Sequence, residues 1–157
     1  MSRLRWSIGD SLLDHELAGE LVDTSYDGSD LYHSYDVTVR GAYPAEFSVS
    51  FPNVLVSTSR IEQLTLELES WLARPMPEWL DTPFATVAEL AKQGSQSLRL
   101  AFSSVSEPQL ITGGGESVLK SSCRIGTLLV ECAFVVNPTD LALLRDGFRG
   151  VLAETSR

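Results

Sequence analysis

The residues of strongest chemical character in this sequence are its carboxylates, and they are unevenly placed. Between Asp10 and Glu46, nine acids (Asp10, Asp14, Glu16, Glu20, Asp23, Asp27, Asp30, Asp36 and Glu46) stand against one base, Arg40, a balance of −8 in a chain whose total is −9. Hard divalent cations need several oxygens at once, which makes Asp23, Asp27, Asp30 and Asp36 candidates for a calcium site. Their spacing does not reproduce the twelve-residue calcium loop, with its sixth-position glycine and closing glutamate. A solvated acidic surface is the simpler reading, and no metal or cofactor is expected. Such a surface repels phosphate backbones and steers cationic proteins inward. The expected partner is therefore a protein with a basic surface, met by Asp23, Asp27, Asp30 and Asp36, and not nucleic acid.

Other reactive types are few. His15 lies between Asp14 and Glu16, carboxylates that favour its charged form and so suit acid–base work; a histidine beside surface acids is the plainer account. His33 shares an alternating face with Tyr35 and reads as a part-buried, satisfied histidine. Cys123 and Cys132 do not form a Cys-x-x-Cys pair, and only Arg124 adjoins either, so inert thiols are expected. Gly113-Gly114-Gly115 lacks the Lys-Ser/Thr that completes a phosphate loop and reads as a hairpin tip. There is no Gly-x-Ser-x-Gly elbow. The residue types thus lean away from an enzyme. Met76 and Trp79, set among prolines, are of the kinds enriched where interfaces bury their centres, and form a second candidate contact surface that equally suits an end of the core.

The elements that position these residues follow from periodicity. Composition is that of an ordinary globular chain, 43% hydrophobic and 21% charged, and 157 residues suit a single domain, 1–157. Two cysteines fit a reducing, cytoplasmic setting better than a disulfide scaffold. Asp10, Asp14 and Glu16 interrupt what would be the apolar run of an export signal, and no uncharged stretch is long enough to span a bilayer.

Leu4, Trp6 and Ile8 alternate as a first strand, and Leu17–Val22 is a weaker second. Asp27-Gly28-Ser29-Asp30 makes a turn into a clear strand, Leu31 to Arg40, with Leu31, His33, Tyr35, Val37 and Val39 on one face. Phe47, Val49 and Phe51 continue the pattern until Pro52 stops or bulges it. Ser59 and Glu62 form a capping box for a helix to Arg74, whose stripe is Ile61, Leu64, Leu68, Trp71 and Leu72. Thr82, Pro83 and Gly94 punctuate a shorter helix carrying Phe84, Val87 and Leu90.

Strands resume at Leu98, Leu100 and Phe102, at Leu110-Ile111, and at Val118–Arg124. Leu128–Val136, apolar on both faces apart from Glu131, reads as a central, doubly covered strand paired with Val118–Arg124 across a turn at Gly126. Pro138 opens a closing helix with Leu141, Leu144, Phe148, Val151 and Leu152 inward. Its Gly147 and Gly150 suggest close packing on the sheet. The sum is an α+β fold: a mainly antiparallel sheet of about five to seven strands with the two main helices packed on one face. With the long apolar strand central, a monomer or weak homodimer follows, any dimer resting on Met76, Trp79 and Leu80.

The order of these features resembles that of small bacterial toxin-immunity proteins of the WapI type. The resemblance lies in Tyr26-Asp27-Gly28-Ser29-Asp30-Leu31 leading into a strand, the Ile61–Leu72 helix, Ala101-Phe102 followed by Glu107-Pro108, and the closing Asp140–Leu152 helix. It implies a protein that binds and blocks a partner toxin without enzymatic activity. The competing reading is a small-ligand or enzymatic pocket between the sheet and the C-terminal helix, lined by Tyr32, His33 and Tyr35.

Overall fold

The computed structural model describes residues 4–10, 15–27, 30–42, 45–73, 86–104, 117–136 and 138–155. Four strands, β1 (Arg5–Asp10), β2 (His15–Asp27), β3 (Asp30–Gly41) and β4 (Phe47–Ser57), lead into helix α1 (Thr58–Leu72). Four more, β5 (Thr86–Gln93), β6 (Gln96–Ser104), β7 (Ser117–Ile125) and β8 (Leu128–Val136), lead into α2 (Pro138–Thr155). Each set is an antiparallel sheet whose strand order follows the sequence. The fold is thus α+β and antiparallel, and among the described residues two helices and eight strands divided between two sheets replace the single sheet of five to seven. Alternation tells which side chains turn inward; it does not tell whether successive hairpins share one sheet.

Both helices bury the stripes read from their spacing. On α1, Ile61, Leu64, Leu68 and Trp71 are buried, whereas Leu66 is 65% exposed, which decides for a helix over the strand that Leu64, Leu66 and Leu68 also suggest. Its start differs from expectation. The helix begins at Thr58 after Ser57, which makes no side-chain capping bond, so Ser59 lies inside the first turn and the capping box with Glu62 is not formed. Arg149 Nε donates to Glu69 Oε1 at 2.6 Å and joins the two helices.

Two expectations about the second sheet are corrected. Residues 86–93 form strand β5 rather than a helix; the proposed cap at Thr82, with Pro83 and Phe84, lies outside the described residues. Gly94 does adopt positive φ, at 60°, but as the first residue of a two-residue hairpin turn rather than a helix terminator. The Gly126 turn, also at positive φ, joins β7 to β8 as expected, and its N–H donates to Ser95 O of the neighbouring turn at 3.1 Å. Strand β8 is not central: it ends the order β5-β6-β7-β8, and Leu128 and Leu129 are 53% and 42% exposed. On its outer side Leu129 and Glu131 are exposed to solvent. The Leu110-Ile111 strand lies outside the described residues.

One core runs through both sheets and both helices, with Trp6, Tyr35, Phe51, Leu68, Leu100 and Phe148 among its fully buried members. Gln96 at the start of β6 ties the sheets together: its Nε2 donates to Asn53 O at 3.3 Å and its Oε1 accepts from Leu55 N at 3.4 Å. On the other side α2 lies against β1 so closely that a Cβ at Gly147 would come within 2.9 Å of Trp6 Cα and 3.2 Å of Arg5 O; a Cβ at Gly150 would meet nothing within 4 Å. The two glycines should therefore respond oppositely. Gly147→Ala is expected to cost about 1–3 kcal/mol through backbone overpacking, and Gly150→Ala to stabilise by up to about 1 kcal/mol through helix propensity. Urea midpoints of the two variants check this, and shifts of the same sign would refute the close approach.

Candidate functional site

The acidic residues singled out from the sequence are gathered by the β2–β3 hairpin, and a single extra residue gathers them. The register runs Glu20 opposite Asp36 and Leu21 opposite Tyr35, then shifts so that Asp23 faces Ser34. Val22 is the inserted residue of a β-bulge, 47% exposed. Without it strand alternation would turn Asp23 to the core side; with it Asp23 joins Glu20 and Asp36 on the outer face. Asp27 pairs with Asp30 beside the turn, at register positions of the same parity. These positions extend along roughly 20 Å of strand.

Along the hairpin, the β1 neighbour ends before the β4 neighbour. The pairing of β1 with β2 ends at Arg5 opposite Glu20, and that of β4 with β3 ends at Ser57 opposite Tyr32. Among the described residues, the segment carrying Asp23, Asp27 and Asp30 is flanked on the β2 side by no other strand.

The face continues into an open depression of about 620 Å³ lined by Glu16, Glu20, Asp36 and Arg40 among others. Arg5 reaches Glu16 at 3.4 Å and Arg40 reaches it at 3.2 Å. Asp36 has a structural duty as well, since its Oδ1 accepts the Asn53 N–H at 3.2 Å. Asn53 follows Pro52 in a bulge of β4 and holds a positive φ of 55°, a conformation asparagine tolerates better than most residues. Pro52 thus bulges the strand without ending it. The Asn53 contribution was not read from the sequence, although a Pro-Asn pair inside an alternating run is a signal for it.

Like charges directly opposite one another on neighbouring strands are unfavourable. Two such pairs, Glu20 with Asp36 and Asp27 with Asp30, stand in this one hairpin.

His33 and Tyr35 occupy a different environment. Both are fully buried, and alternation leaves Tyr32 half-buried on the opposite face, so the three residues do not converge. His33 Nδ1 lies 3.1 Å from Tyr35 Oη and its Nε2 lies 3.3 Å from Thr58 Oγ1 at the start of α1. Burial holds the His33 pKa below its ordinary 6.5. Burial also pushes the Tyr35 phenol well above its ordinary value, opposed by the nearby Trp6 indole N–H, which does not reach hydrogen-bonding geometry. Leu141, Leu144 and Phe148 of α2 are fully buried in the same core. None of the described cavities is lined by Tyr32, His33 or Tyr35.

The remaining candidates are quickly located. The His15 ring packs edge-on to Phe47 at 5.8 Å. Cys123 and Cys132 are free thiols at diagonal positions across β7 and β8; burial pushes Cys123 up to about 12 and raises Cys132 as well. Such thiols hold their protons and are poor nucleophiles. Met76 and Trp79, with Leu80 and the Gly113–Gly115 run, lie outside the described residues. Among the described residues no group of three or more His, Cys, Asp or Glu is placed to hold a metal ion, and no helix is long and apolar enough to cross a membrane.

No family model matches the chain, and no curated protein matches it. Among solved structures the chain is similar to that of the plant transcriptional regulator PBF-2, with 13% sequence identity, a TM-score of 0.47, and coverage of 97% of this chain and 81% of that one.

Proposed function

We propose that this chain acts by non-covalent association with a protein partner of basic surface, through the outer face of the β2–β3 hairpin. The supporting observation is the Val22 bulge, which puts Asp23 on the same outer face as Glu20 and Asp36. A partner's lysines or arginines set along this face would meet several carboxylates at once. Blocking of a toxin, as the immunity resemblance implies, is one form of this function.

The competing pocket reading lacks comparable support, because His33 and Tyr35 bond to each other inside the core. The proposed mode makes a simple demand on binding. Charges at a solvent-exposed face are screened over about 10 Å at 0.1 M salt, and opposite potentials act chiefly on encounter and selection. A partner captured on the immobilised chain at low ionic strength is expected to bind at least about tenfold more weakly at 0.5 M salt, measured by surface plasmon resonance with the purified partner. Equal affinity at both salt concentrations would remove the hairpin from consideration as the contact.

A further inference from the structure

On this acidic chain most of the described cations hold a carboxylate. Arg5 and Arg40 reach Glu16, Lys92 reaches Glu89, Arg145 reaches Asp146 and Arg149 reaches Glu69. Apart from Arg60 on α1, the described cations that form no ion pair among the described residues are Arg99, Lys120 and Arg124. These three stand together on the outer face of the second sheet.

The sheet itself gathers them. Alternation buries Leu98, Leu100 and Phe102 of β6 and Ser121 and Cys123 of β7, so that Arg99, Ala101, Lys120, Ser122 and Arg124 turn outward. Arg99 is directly opposite Ser122, roughly 5 Å away between Cβ atoms. Lys120 and Arg124 flank Ser122 along its own strand, each roughly 7 Å from it. A short, part-buried hydroxyl side chain is thus ringed on three sides by long cationic ones, with Glu131 of β8 opposite it on the fourth. Arg99, Lys120, Arg124 and Glu131 are all exposed. Between them lies an open depression of about 460 Å³, whose lining includes Arg99, Ala101, Lys120, Ser122 and Glu131.

We infer that this depression is a binding site for a single phosphate group, carried by inorganic phosphate or by a phosphate monoester. Guanidinium and ammonium groups donate charge-assisted hydrogen bonds to phosphate oxygens, and the Ser122 hydroxyl can donate another from below. Donors arriving from three sides suit the several oxygens and near-double charge of a phosphate monoester. A carboxylate, with one charge and two oxygens in a plane, leaves part of the ring unmatched. The long phosphate backbone of a nucleic acid is disfavoured by the net charge of −9 on the chain as a whole. Glu131 on the rim opposes any anion, and its removal therefore gives the site a change of opposite sign to that of removing a cation. The site lies on the other sheet from the acidic hairpin, so it stands or falls independently of the partner proposed above.

The test is an amide-resolved NMR titration of the full chain at constant ionic strength with inorganic phosphate, N-acetyl-phosphoserine amide, acetate, and a single-stranded oligonucleotide without terminal phosphates. The two phosphate probes should give saturable shifts centred on Arg99, Ala101 and Ser122, with dissociation constants in the millimolar range, and acetate should bind at least about tenfold more weakly. Tighter binding of the phosphoserine derivative identifies a phosphorylated chain as the source of the group, and tighter binding of inorganic phosphate a free anion. Arg99→Gln and Lys120→Gln should each weaken phosphate binding about tenfold, and Glu131→Gln should tighten it about threefold. These side chains are exposed, so the fold tolerates the changes. Shifts that do not saturate or that ignore these substitutions overturn the inference. So does acetate binding as well as phosphate, or the oligonucleotide binding more tightly than the monoester, since either outcome means that the face reads something other than a single phosphate group.

Discussion

Replacing Trp6 by alanine is expected to destabilise the fold by about 3–5 kcal/mol, a large fraction of the roughly 5–15 kcal/mol that holds a domain of this size together. Trp6 is 1% exposed and stands where three elements meet. Its ring lies over Gly19, its cross-strand partner on β2, where a Cβ would come within 2.5 Å of it. It meets Tyr35 of β3 edge-on at 5.9 Å and Phe148 of α2 at 5.5 Å. Truncation therefore opens a cavity whose walls belong to a sheet and a helix that cannot both collapse into it. Trp6→Phe is expected to lose less, roughly 1–2 kcal/mol, because it keeps most of the packing and deletes an indole N–H that has no bonding partner. Urea unfolding distinguishes these values. A Trp6→Ala chain within about 1 kcal/mol of wild type would show that this ring does not lock α2 to the first sheet.

The second large effect is a pH dependence rooted in His33. With its pKa in the folded chain held below 6.5 by burial, the unfolded chain takes up a proton on this residue before the folded one does. As pH falls from above 6.5 toward the lower folded value, stability is lost, by up to about 1.4 kcal/mol for each pH unit. Above 6.5 the neutral ring is common to both states and the term vanishes. His33→Gln removes the titration while leaving a polar group near Tyr35 and Thr58. At pH 7.5 wild type is expected to be the more stable, and the gap should narrow steadily toward pH 5. Other titrating groups largely cancel in this difference. A gap that stays constant with pH would mean that His33 is not held neutral by the core.

Much of the architecture was legible because one-sided burial leaves a clear period. Strand β3 reads directly from His33, Tyr35, Val37 and Val39, and the helices from the inward stripes of Ile61 to Trp71 and Leu141 to Val151. Strand β5 was misread for an identifiable reason. Its bulge between Glu89 and Ala91 breaks the two-residue period and leaves Val87, Leu90 and Ala91 at the i, i+3, i+4 spacing of a helix, while Gly94 suits a helix end and a hairpin turn equally. Strand β8 was misplaced because exposed leucines at an edge and covered leucines at a sheet centre spell the same letters. Of the candidate site, composition gives the acidity of residues 10 to 46, and nothing in it marks Val22 as the bulged residue on which the facing of Asp23 depends. Met76 and Trp79 lie outside the described residues.

The central claim is that the position of the carboxylates, rather than the total charge, selects the partner. Two double variants separate these possibilities at the same net charge. One reverses Asp23 and Asp27 on the hairpin to lysine. The other reverses Glu62, exposed on α1, and Asp146, exposed on α2, to lysine. Affinity for the captured partner, measured for both at one low ionic strength, is expected to fall at least about thirtyfold for the hairpin variant and by less than about threefold for the helix variant. Equal losses would make the interaction one of overall charge, and an unaffected hairpin variant would contradict the assignment of this face.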